Sequence, residues 1–151
     1  MMSEEIKQQL LAEQTFFLER SIVKLDEIFQ KIQLKQFLPF SEEECFEILT
    51  SRFARLSDLY TQKLLGLLFR ILQEPDLNFI DKCRFLEKLG LIENSKVLYD
   101  IRSLRNQISH EYALEDLEEI QTLTLAKAPV LILIARHTLQ YMIQMLKKIG
   151  E

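Results

Sequence analysis

The sequence predicts an all-α fold, a single antiparallel bundle of about five helices spanning residues 1–151. Three observations carry this expectation. The chain has 151 residues, the size of one ordinary domain and enough to bury one core. Hydrophobic residues make up 48% of it while Gly and Pro number only three each, which leaves little for the hairpins of a β sandwich or barrel. Finally, apolar residues recur at three- and four-residue steps along most of the chain.

The first helix is expected over about 3–33, where Leu18, Ile22, Leu25, Phe29 and Ile32 form one stripe. The segment 34–40, with Pro39, breaks it, and Ser41 with Glu44 three residues later reads as a capping box that opens helix two. That helix carries Phe46, Leu49, Phe53, Leu56, Tyr60, Leu64, Leu67 and Ile71 as a long seam, and Pro75 ends it. The block Leu64-Leu65-Gly66-Leu67-Leu68-Phe69 is more apolar than one buried stripe needs, and reads as core plus a dimer contact. A short third helix runs from a cap at Asn78 to a stop at Gly90. Helix four starts after Asn94 with Val97, Leu98, Ile101, Leu104 and Ile108 inward, and ends near 110–114. The acidic stretch Glu115, Asp116, Glu118, Glu119 suits a helix N-terminus. The last helix is expected from about Pro129, a natural first-turn residue, to Ile149.

The start of the chain is polar and acidic, unlike a signal peptide, and the longest apolar run, Val130 to Ala135, is far short of a membrane span. Cys45 and Cys83 stand alone in helical patterns, as buried small hydrophobes of a reducing compartment do. These features predict a cytoplasmic protein with no membrane contact, no metal and no cofactor. The net charge of -4 and a pI near 5.3 argue against a general nucleic-acid coat. Any nucleic-acid chemistry must rest on a local cluster of arginines.

One such cluster lies in helix four: Arg105-Asn106-Gln107-Ile108-Ser109-His110-Glu111-Tyr112. At about 100° per residue, Arg102, Asn106 and His110 share one polar stripe, and Arg105 sits between it and the Leu104/Ile108 face. Two guanidiniums near one imidazole suit a phosphodiester, since guanidinium forks match phosphate oxygens and His carries protons near neutral pH. The chain's few Cys and His residues make no plausible metal cage, so these residues allow a metal-free mechanism. Without further context, an Arg and a His on a polar helical face are ordinary solvated surface.

The octapeptide resembles the R-x4-6-H signature of the HEPN superfamily, in the R-N-x3-H-x-Y form of HepT-like ribonuclease toxins. The segment Arg52 to Leu59 also looks like a part of that family. The resemblance implies a metal-independent endoribonuclease in which His110 helps deprotonate the ribose 2′-hydroxyl and Arg105 stabilises the charge on the phosphoryl oxygens. Asn106, Arg102 and Asp58 would support the site, Asp58 by orienting Arg105 or His110. The substrate would be RNA and not DNA, and two copies of the motif would face each other across a homodimer to form one cleft. It further implies a cognate small nucleotidyltransferase antitoxin that modifies Tyr112 with AMP. Tyr112 otherwise reads as a packing residue, and His137 as structural or exposed. The alternative from a different class is a non-catalytic binding subunit of such a nucleotidyltransferase, and a third is a plain helical scaffold dimer.

Overall fold

The structure, a computed structural model, describes residues 2–75, 78–110 and 114–150. Their regular secondary structure is all helical, with no strand among the described residues. Helix α1 spans Glu4–Gln33, with the Ser3 side chain accepting from the Ile6 amide at its start. Helix α2, Glu42–Asp58, opens on the full capping box, Ser41 and Glu44 each satisfying the other's backbone N–H. It runs without a break through a π-helical turn, Leu59–Leu64, into α3, Leu65–Ile71. Then come α4, Phe79–Lys88, α5, Ser95–Ser109, and α6, Leu114–Ile149.

The π turn has a cause in the seam. Leu56, Tyr60, Leu64 and Leu68 are all essentially buried and follow one another at four-residue steps. In a regular α-helix each such step drifts by about 40°, so three in a row would carry the seam off the core. The wider turn, in which the Leu65 amide bonds the Tyr60 carbonyl five residues back, absorbs the drift. Thr61 supports it by donating its hydroxyl to the Ser57 carbonyl at 2.8 Å. The insertion also shifts the expected face. Leu67 is only half-buried, while Leu65, Leu68 and Phe69 go into the core. The apolar block at 64–69 is therefore taken up largely by the chain's own interior. Large exposed apolar groups lie instead on α1, at Phe16, Phe17 and Val23.

Helix α1 packs against both α6 and α2, and α5 closes the bundle against α2, α4 and α6. The α1–α2 pair is antiparallel: Arg52 reaches Lys24, ten residues before the turn that 34–41 makes. Where the rods meet, Tyr60 and Thr138 share a fully buried hydroxyl hydrogen bond of 2.8 Å. Burial raises the Tyr60 phenol well above its ordinary pKa, so it stays neutral. Cys45 and Cys83 are buried and unbonded to each other, and burial pushes the Cys83 thiol up to about 11.

The caps follow the sequence in part. Asn78 caps α4, and Gly90, at φ 76°, completes a Schellman motif in which the Gly90 and Leu91 amides return to Glu87 and Leu86. Asn94 does begin α5 but makes no side-chain cap; Glu87 of α4 takes that role, accepting from the Ser95 amide at 3.1 Å and its hydroxyl at 2.9 Å. The expected start at Pro129 is wrong. Pro129 lies inside the 36-residue α6, on its exposed face. Ile120, Thr124, Ala128 and Leu131 are buried in one continuous stripe across that point, so packing overrides the local preference for a break. No helix is long and apolar enough to cross a membrane among the described residues.

Two substitutions separate capping from packing in this scaffold. Ser41→Ala, which removes one side of the capping box, is expected to lower unfolding free energy by about 1 kcal/mol. Leu49→Ala, which empties a fully buried site, should lower it by about 2–5 kcal/mol. Urea denaturation reads both, and equal losses would contradict the burial assigned to Leu49.

Candidate active site

Helix α5 buries Leu98, Ile101 and Leu104 and half-buries Ile108, which fixes the direction of everything else on it. Arg105 falls at the edge of that face and is half-buried, while Arg102, Asn106 and His110 are exposed. The core thus sets one arginine of the motif against a neighbouring helix and turns the rest outward.

The neighbour is α2. The Arg105 Nε donates to Asp58 Oδ1 at 2.5 Å and Nη2 donates to Oδ2 at 2.8 Å, a two-pronged ion pair between residues 47 apart in sequence. The Arg105 Nη1 donates to the Ser109 hydroxyl at 2.6 Å, one turn along α5. Asp58 is the last residue of α2 before the π turn, and Gln62 donates to it more weakly at 3.4 Å. Its hydrogen bond to Asp58 pushes the Arg105 pKa further up, so the charge is permanent. A guanidinium has about five N–H donors. With three engaged inside the chain, two N–H donors remain, one on each Nη, for a further acceptor such as a phosphate oxygen.

Arg102 is held differently. Its guanidinium lies 4.4 Å from the centre of the Phe79 ring, and that ring meets Tyr99 edge-on at 5.6 Å. The two arginines are thus braced by separate partners, Arg105 by α2 and Arg102 by α4. His110 is the C-cap residue of α5, its amide donating to the Asn106 and Gln107 carbonyls at 3.1 and 3.2 Å. Asn106 contributes to the helix end through that carbonyl, while its side chain faces solvent. Tyr112 and Glu111 lie outside the described residues. His137 is exposed on α6. No group of three or more His, Cys, Asp or Glu side chains that could hold a metal occurs among the described residues.

Sequence reasoning placed Asp58 as an orienter of Arg105 or His110; the contact that forms is with Arg105. It missed Ser109, although the four-residue spacing from Arg105 is the signal that finds it. Arg52, in the same segment as Asp58, braces the scaffold by donating to the Lys24 carbonyl at 2.7 Å.

Because the pair is partly exposed, its contribution to stability should be modest. A double-mutant cycle with Asp58→Ala and Arg105→Ala is expected to give a coupling of about 1 kcal/mol in urea denaturation. A coupling of zero would mean that the two-pronged contact does not persist in solution.

No family model, no curated protein and no solved structure matches the chain.

Proposed function

We propose that the chain is a metal-independent endoribonuclease of the HEPN type, working as the toxin of a toxin–antitoxin pair. One observation carries most of the weight: Arg105 is pre-set by Asp58 and Ser109 with two N–H donors beyond those contacts, five residues before the exposed His110. A guanidinium held in place can stabilise charge that develops on a phosphoryl group without reorganising first. His110 takes the proton of the ribose 2′-hydroxyl, and the oxygen attacks the adjacent phosphorus. The 5′ oxygen leaves and is protonated, which yields a 2′,3′-cyclic phosphate end. Only RNA has the attacking hydroxyl. A homodimer with a two-fold axis brings two copies of the motif to one cleft and concentrates positive charge there on an otherwise acidic chain.

Purified protein is then expected to cut single-stranded RNA in the presence of EDTA. His110→Ala and Arg105→Ala should each slow cleavage by about a hundred- to ten-thousand-fold while keeping the wild-type fold, since neither side chain is part of the core. Light scattering across a concentration series should give twice the chain mass, and a persistent monomer at micromolar concentration would remove the shared cleft.

Regulation is assigned to Tyr112, two residues beyond His110. A cognate small nucleotidyltransferase transfers AMP from ATP to its hydroxyl, which loses its proton as pyrophosphate leaves, and the added phosphate competes for the arginine forks. After co-expression with that partner, intact-mass spectrometry should show wild type gaining multiples of one AMP unit and Tyr112→Phe gaining none.

A second reading is a non-catalytic docking subunit for the nucleotidyltransferase. It draws on the way Arg102 is stacked on Phe79, which suits a rigid recognition face as well as a reactive one. RNA cleavage that persists unchanged in His110→Ala would favour it over the enzyme.

A further inference from the structure

Away from α5, the antiparallel walls of α1 and α2 leave an open groove of about 680 Å³. Its charge is unlike that of the chain. Arg20, Lys24, Arg52, Arg55 and Lys63 line it against a single carboxylate, Glu13, although the protein as a whole carries a net charge of -4. A second groove, beside α6, is lined by Glu42 and Glu118 instead, so the basic character is local to the α1–α2 side. The walls are tied together by the Arg52 bond to the Lys24 carbonyl, which leaves the Lys24 ammonium itself unengaged by that contact. Lys63 and its neighbour Leu59 come from the π turn that starts immediately after Asp58.

An aromatic edge selects among anions. Phe17 lines the groove and is 46% exposed, and the adjacent Phe16 is 54% exposed with the Arg20 guanidinium 5.6 Å from its ring centre. Exposed rings beside cations form a surface on which unpaired bases stack.

We propose that this groove is a track for single-stranded RNA, gripping the phosphate backbone through Lys24, Arg55 and Lys63 and stacking a base on Phe17. The assignment rests on the ribonuclease reading for its choice of RNA, and it deepens that reading by giving the strand a path along α2, the helix whose last residue, Asp58, braces Arg105. A second site also resolves how an acidic chain holds RNA, since the affinity comes from a separate strip of cations and not from the catalytic arginine alone.

The test is fluorescence anisotropy with a labelled ten-residue oligouridine, in a His110→Ala background so that the strand stays intact. Combined Lys24→Ala, Arg55→Ala and Lys63→Ala should weaken binding at least tenfold. It should also flatten the dependence of log affinity on log salt by about 2, at roughly 0.7 for each lost phosphate contact on a single strand. Phe17→Ala should weaken binding with the salt slope unchanged. Unaltered affinity in the triple variant, with its fold intact by circular dichroism, overturns the proposal. So does equal binding of AMP alone, or equal competition by oligoglutamate, because either would make the groove something other than a strand track. The readout is independent of turnover. Wild type that binds through the groove but cuts nothing would defeat the ribonuclease reading alone, and wild type that cuts RNA while the triple variant binds normally would defeat the groove alone.

Discussion

The second rod of the bundle has to keep one buried seam over thirty residues, from Glu42 to Ile71, while its apolar residues arrive at an uneven pace. The run Leu56, Tyr60, Leu64, Leu68 is too widely spaced for a plain α-helix, and the π turn at 59–64 is how the chain reconciles that spacing with a single core. Much follows from it. Tyr60 stays in the interior and meets Thr138 of α6, locking two rods through one buried hydrogen bond. Asp58 comes to rest at the last α-helical position before the turn, where it faces α5 and takes both prongs of Arg105. Leu59 and Lys63 are set on the α1 side, where they line the basic groove. π insertions recur at functional sites in helices, and here one stretch of chain borders both candidate sites.

The Asp58–Arg105 pair makes a small contribution to stability and a large one to geometry. Both side chains keep contact with water, so screening limits the energy of the pair. Its value lies in orientation: with Nε and Nη2 on the carboxylate and Nη1 on Ser109, the guanidinium plane is specified. A lysine at position 105 would keep the charge and lose that specification.

Much of this fold was legible from residue spacing. The starts of α1 and α4 and the stop of α4 follow from Ser3, Asn78 and Gly90, because caps and glycine stops act locally, whereas the start of α5 at Asn94 is capped from α4 by Glu87. Two features were not legible, for a shared reason. Pro129 favours a helix start in isolation, but the buried stripe through Ile120, Thr124, Ala128 and Leu131 carries α6 past it. The π turn likewise depends on what the seam packs against, and its effect was to move the buried face from Leu67 to Leu65, Leu68 and Phe69. At the site, the order of residues on α5 fixed which faces Arg102, Asn106 and His110 occupy. The bracing of Arg105 by Asp58 and of Arg102 by Phe79 arises only when three helices meet, and the basic groove arises from two.

On the proposed ribonuclease reading, a role of Asp58 through Arg105 is measured directly in turnover. Rates of RNA cleavage would be compared for Asp58→Ala, Arg105→Ala and the double variant, each checked for an intact fold. If Asp58 serves to position the guanidinium, the double variant is no slower than Arg105→Ala alone, since nothing remains to be positioned. Losses that multiply in the double variant would show that Asp58 acts on the reaction independently, and would contradict the positioning role.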